Sequence, residues 1–229
     1  MNTTLTTLLI AGTAAIATAD TLYLQDFENP GVGYTANEFS DGGEDFFGNS
    51  GSISFAGAVN YGGVDGNYFA GMDIDSEGAD LPLHLTTTAI DISNTNNLQF
   101  AIDLAEDDDG SSQDWDALDY VRFEYEIDGN GWVEIFTVEN DGSTYNTAPR
   151  VNGTIVTDTF STFSADLSGL SGIEMVIRAV WSLDSGDEDL AIDNILLSGD
   201  RIAVVPLPSA AFAGLGLLGA MGAYRRLRA

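Results

Sequence analysis

Val121-Arg122-Phe123-Glu124-Tyr125-Glu126-Ile127 runs directly into Asp128-Gly129-Asn130-Gly131. Apolar and polar side chains alternate one for one. Because successive side chains of a β-strand point to opposite faces, this is a strand with one face buried and one wet. Asp-Gly supplies the positive φ of a tight hairpin turn, so residues 132–138 read as the returning strand. The same period governs Leu98, Phe100, Ile102 and Leu104, which alternate with Gln99, Ala101 and Asp103. It governs Ile173, Met175, Ile177, Ala179, Trp181 and Leu183 as well, one apolar face opposite Glu174, Arg178 and Ser182. Shorter candidates lie at 21–27, 53–59, 67–73, 81–90, 154–160, 163–167 and 190–197. About ten to eleven strands separated by Gly, Asp, Asn and Ser clusters, with no amphipathic helix among them, predict an all-β, antiparallel β-sandwich. One wet face per strand fits two packed antiparallel sheets better than a parallel sheet covered on both sides. The last strand changes phase: Leu190 and Ile192 share one face, Ile195 and Leu197 the other. A β-bulge near Asp193-Asn194 would restore the register and re-aim side chains there.

The chain of 229 residues carries 36 acidic and seven cationic residues, for a net charge of −29, with one histidine and no cysteine. All the acids fall between residues 20 and 200, accompanied there only by Arg122, Arg150 and Arg178, with Arg201 just beyond. Such a surface repels nucleic acid, whose binding depends on cationic neutralisation of phosphates. It attracts cations instead. With 44% hydrophobic and 10% aromatic residues the body has the material for a core. The lack of cysteine removes thiol chemistry, disulfides and cysteine-based zinc sites.

The two ends differ in composition from the body. Residues 8–17 are a short apolar run, and Ala17-Thr18-Ala19 places small residues before Asp20 as in a signal-peptide cleavage site. At the other end Val205, Pro206, Leu207 and Pro208 open an uncharged stretch, residues 209–224, that stops at Arg225, Arg226 and Arg228. A bilayer core takes about 20 apolar residues as helix, and arginines stay on the cytoplasmic side. Three segments follow: 1–19 as export signal, 20–201 as β-sandwich ectodomain, and 202–229 as a transmembrane tag. A GPI tail ends hydrophobic, unlike this one, and Leu207-Pro208-Ser209-Ala210 lacks the Thr-Gly of a Gram-positive sortase site.

This tripartite tail resembles the PEP-CTERM sorting signal of exopolysaccharide-producing Gram-negative bacteria, in its Val-Pro-Leu-Pro variant. The resemblance implies recognition by an exosortase-type membrane peptidase and delivery to the cell surface or extracellular matrix. Within the body, Asp26-Phe27-Glu28, Gly66-Asn67-Tyr68-Phe69 and Ala191-Ile192-Asp193-Asn194-Ile195 resemble the first, second and last strands of jelly-roll modules of the galactose-binding, MAM and carbohydrate-binding type. That likeness implies a structural calcium held by Glu28 with Asp193.

Hard cations take oxygen ligands from flexible loops. Asp73, Asp75 and Glu77 stand at positions 1, 3 and 5 of an EF-hand-like opening, with Gly78 at 6. His84 in place of the closing Glu, and the lack of flanking helices, leave a looser calcium loop as the expectation. Residues 106–116 and 184–189 form two further acidic loops. For sugars, Trp115, Trp132 and Tyr145, with Tyr61 and Tyr68, lie in or near loops and could offer aromatic platforms, while Trp181 belongs to a core face. Triad chemistry needs a histidine base, and the single His84 falls on a wet strand face. Glu126-Ile127-Asp128 is similar to the catalytic strand of laminarinase-type glycosidases, but its second Glu is missing. Glu124 and Glu126 stand about 7 Å apart on one face, at the short end of the inverting-glycosidase spacing, with Arg122 as a ready partner for either. The expectation is therefore a non-enzymatic, calcium-stabilised surface or matrix protein with a structural or adhesive role. A carbohydrate-binding module recognising exopolysaccharide is the alternative, and a glycoside hydrolase stands behind both.

Overall fold

The computed structural model describes residues 19–40, 45–51, 59–75, 80–107, 115–142, 147–184 and 188–202. The export segment, the sorting tail with Val205–Pro208 and its arginines, Glu77, Tyr145 and most of the strand expected at 53–59 lie outside them. Among the described residues no helix is long and apolar enough to cross a membrane.

The segments expected at 21–27, 67–73, 121–127, 132–138, 163–167 and 173–183 form strands within about two residues of their expected bounds; those at 98–104 and 190–197 extend to Thr95 and Arg201, 81–90 divides into two strands, and 154–160 pairs only at Thr154–Ile155. In chain order the strands are β1 (Asp20–Gln25), β2 (Tyr34–Ala36), β3 (Phe39–Ser40), β4 (Phe46–Ser50), β5 (Tyr68–Met72), β6 (Leu83–Thr87), β7 (Ile90–Asp91) and β8 (Thr95–Ala105). They continue as β9 (Tyr120–Ile127), β10 (Val133–Glu139), β11 (Arg150–Val151), β12 (Thr154–Ile155), β13 (Ser161–Leu167), β14 (Glu174–Ser182) and β15 (Asp189–Arg201). The first sheet runs β13-β8-β15-β5-β4-β3, with β1 also pairing β15. The second runs β12-β11-β10-β9-β14-β6-β2, with β7 on β14. Every strand pair is antiparallel, so the expected β-sandwich is the observed architecture.

The chain crosses repeatedly between sheets, and their inner faces close on one core. Phe100 of the first sheet packs against Phe123 and Phe136 of the second, with ring centres 6.2 and 5.8 Å away. Phe47 and Phe69 pack against Trp181 at 5.5 and 6.1 Å. A second, smaller core covers part of the first sheet's outer side: Val59 and Tyr61 fold over Tyr68, Ala70, Met72, Ala105 and Ala191. β5 is therefore buried on both faces.

The β9–β10 hairpin turns as its sequence requires. Asp128 and Gly129 have φ of 53° and 71°, and Asn130 N donates to Ile127 O at 3.0 Å, the paired positive φ of the turn that matches strand twist. The expected bulge in β15 is present. Its register against β8 shifts between Asp193 and Leu196, and Asn194 takes up the change with φ 49°. Leu190 and Ile192 before it and Ile195 and Leu197 after it all reach the main core.

Candidate functional site

Two regions combine geometry with chemistry. The first is the outer face of the second sheet. Register places Arg178 beside Glu124 and Thr86, Glu124 beside Glu134, and Arg122 beside Val180 and Thr137. Glu124 is only 7% exposed and accepts from two guanidiniums, Arg122 Nε at 2.8 Å and Arg178 Nε at 2.6 Å. With both oxygens so engaged it offers nothing to a glycosidic oxygen, while Glu126 accepts from Gly131 N at 3.1 Å. The Arg178 guanidinium sits 4.0 Å from the Trp132 ring centre and that of Arg122 5.2 Å from Tyr120, both within cation–π range. Trp132, leaving the hairpin turn, reaches across β9 toward β14 and stays half-buried. His84 lies on the same face, opposite Val180. Burial and then the charge of Arg178 lower its pKa below the usual imidazole value.

Beside this platform, toward the sheet edge, lies a groove of about 640 Å³ whose walls include Glu134, Thr137, Glu139, Asn140, Arg150 and Asn152. The register of β10 against β9 shifts between Glu134 and Phe136. The bulge turns Phe136 inward and leaves Glu134, Thr137 and Glu139 on one outer face. Arg150 Nε is buried without a hydrogen bond, and Arg150 Nη2 stands 4.0 Å from Asp141 Oδ2.

The second region is acidic. At the β15 bulge Asp193, 7% exposed, has its pKa pushed up to about 7, chiefly by burial and then by Asp103, Asp26 and Glu28. Glu28 and Asp193, expected to share an ion, are thus near neighbours, but their partners differ. Glu28 Oε1 accepts from Asn67 N at 2.7 Å. Asn194 Nδ2 donates to Asp103 Oδ2 at 2.9 Å and to Asp193 Oδ2 at 3.2 Å, so its amide bridges Asp103 and Asp193. Asp73, at φ 45°, is pushed up to about 7 by burial and by Asp45 and Asp75. Asp75 acts on Asp184 in turn, so the loop expected to open a calcium site forms one side of a larger acidic lip.

The centre of that lip is Asp119, Asp184 and Glu188, which each offer one carboxylate oxygen within 4.8 Å of the other two. Asp119 and Glu188 are each 3% exposed. Burial first, then Asp119 and Asp184, push Glu188 up to about 9. Burial also raises Asp119, and Asp184 is raised by burial and by Asp116 and Asp75. Sequence reading marked the 184–189 loop as acidic but passed over Asp119, a single acid between Leu118 and the first residue of β9. The available signal is its phase: Asp119 continues the inner-face period of Val121 and Phe123.

Two aromatic expectations are corrected. Trp115 is fully buried, its Nε1 donating to Asp189 O at 3.2 Å, so it offers no face to a sugar. Tyr61 and Tyr68 form the small outer core, their rings 5.5 Å apart. Among the described residues, Trp132 is the expected platform that stays partly accessible.

No family model and no curated protein matches the chain. Similar solved structures include the CBM22-1 xylan-binding domain of Paenibacillus barcinonensis, at 13% identity and TM-score 0.42, covering 82% of this chain and 100% of that one. The K3 cleaved adhesin domain of Lys-gingipain from Porphyromonas gingivalis is similar at 14% identity and TM-score 0.44, over 78% and 98% of the two chains. An apo-form cyclase of Fischerella sp. is similar at 12% identity and TM-score 0.48, over 81% and 98%. At such identities and TM-scores these likenesses say nothing of ligand or activity; the antiparallel sandwich stands on its own strand pairing.

Proposed function

We propose that this protein is an exported, non-catalytic surface module that binds a neutral polysaccharide on the outer face of its second sheet. One observation carries the reading: Trp132, braced on Arg178, stands on the same sheet face as a polar groove in which a buried guanidinium nitrogen lacks a partner. Sugar rings present C–H faces that stack on aromatics and hydroxyls that both give and accept hydrogen bonds. The groove answers the hydroxyls with acceptors on Glu134 and Glu139 and donors on Asn140, Arg150 and Asn152. A chain of net charge −29 repels anionic glycans, which favours a neutral one. The Val205-Pro206-Leu207-Pro208 motif with its basic end supports delivery by an exosortase-type peptidase into an exopolysaccharide matrix.

The test is titration of the full-length chain with a panel of neutral soluble polysaccharides and one anionic control, followed by calorimetry and tryptophan fluorescence. At least one neutral polysaccharide binds, and Trp132→Ala weakens it about tenfold or more with the melting temperature little changed. If no neutral polysaccharide binds, or if Trp132→Ala binds as wild type does, the face is not a glycan site and a purely structural or adhesive role takes its place.

A further inference from the structure

The loop entering β9 and the loop joining β14 to β15 are forced together by topology. β9 and β14 are neighbours with Ser182 opposite Tyr120, so Asp119 lies beside the residues that follow Ser182. β15 then begins in the other sheet, so the connection from β14 to β15 crosses between sheets. Each inner carboxylate is aimed by its own loop: Asp116 N donates to Asp119 Oδ2, and Asp184 N to Glu188 Oε2 at 2.7 Å.

What remains does not balance. Asp119 Oδ1 is buried and accepts from no N–H; the group that faces it within hydrogen-bond reach is the Glu188 carboxyl. Two desolvated carboxylates side by side cannot both stay charged on their own: they share a proton, or a cation takes its place between them. Oxygens that share a calcium ion at about 2.4 Å stand at most about 4.8 Å apart, and these three groups satisfy that limit. All the ligands are hard oxygens, and the loops that carry them suit calcium's variable geometry better than the strict octahedron of magnesium. Asp184 is exposed, which gives an ion its path of entry.

We infer that Asp119, Asp184 and Glu188 form a divalent-cation site of the calcium type that staples the loop entering β9 to the β14–β15 crossover. The ion bridges the two sheets at one lip of the sandwich, with main-chain carbonyls or water completing its shell. The site is separate from the Trp132 face and holds whether or not that face binds glycan.

The experiment follows thermal unfolding of the chelator-treated full-length chain, in detergent, as calcium or magnesium is added. For wild type, calcium at about a hundredfold above its Kd raises the melting temperature by about 5–10 °C, and magnesium does less. Asp184→Asn and Glu188→Gln relieve the repulsion, so each melts in chelator at or above wild type and loses the calcium response. Asp193→Asn keeps it. Terbium gives a second readout, since an ion beside Asp119 lies close to Trp115 and emits on indole excitation; Glu188→Gln abolishes that emission. No calcium response in wild type, or a response retained in both Asp184→Asn and Glu188→Gln, overturns the site. So does a response lost only in Asp193→Asn, which would place the ion at the β15 bulge.

Discussion

Glu124 shows how much one side chain can organise on an open sheet face. It anchors Arg122 and Arg178, and Arg178 in turn supports Trp132. Glu124→Gln leaves each oxygen and nitrogen of the new amide facing a donor, and a half-buried guanidinium loses its charged partner. Hydrogen bonds to charged groups contribute about 1.5–3 kcal/mol, and one is lost outright. Stability in urea should fall by about that much, while Glu126→Gln, whose carboxylate accepts only from an exposed turn amide, should change it by less than about 0.5 kcal/mol. Equal effects of the two variants would show that Glu124 does not brace this face. The two tryptophans near turns show where residue-level reading fails. Trp115 and Trp132 sit in similar polar, glycine- and aspartate-rich surroundings. Trp115 is drawn inward by a carbonyl of Asp189, a partner far along the chain that no local pattern reveals.

At the scale of elements, legibility followed solvation. β8, β9 and β14 have one wet face, so their alternation was plain in the sequence. β4 and β5 are covered on both sides, because residues 59–61 fold over the outside of the first sheet. Phe46 and Phe47 are accordingly both drawn into cores, one small and one main. Double coverage erases the period, and β4 passed unread while β5 was seen only as a short run. The pairs formed by β3, β7, β11 and β12 span two residues each, too few for any period to register. The bulge in β15 was legible because it interrupts a long strand whose phase is fixed on either side. It also yields a test that separates backbone from side chain. Asn194 combines a left-handed φ with amide donors to Asp103 and Asp193. Asn194→Gly loses only the donors; Asn194→Ala loses them and adds a strain of about 1–2 kcal/mol. Alanine should therefore lower the urea midpoint further than glycine, and the reverse order would mean that the bulge carries no backbone constraint.

For the whole molecule, the charge of −29 was legible as a total, yet its effect on stability depends on which acids folding buries. Burial and like-charged neighbours raise Asp73 and Asp193 to about 7 and Glu188 to about 9. A carboxyl whose pKa is higher in the folded state binds more protons folded than unfolded. Its contribution is full below the unfolded value of about 4 and is lost as pH rises toward the folded value. Asp91, held low by Ser93, and Asp166, held low by the backbone N–H and hydroxyl of Ser168, act in the opposite sense and lose their contribution below about 4. In chelator the urea midpoint should therefore peak near pH 4. It should fall through pH 7 as Asp73 and Asp193 ionise, and fall further toward pH 9 as Glu188 does. Added monovalent salt should recover part of the loss by screening the exposed acids, but less of it for the buried pair Asp119 and Glu188, whose repulsion water and ions reach poorly. Glu188→Gln removes the upper segment of the decline and makes the lower one shallower without abolishing it, since Asp73 and Asp193 still titrate there. A midpoint flat between pH 5 and 9 in wild type would mean that folding buries these acids at no electrostatic cost.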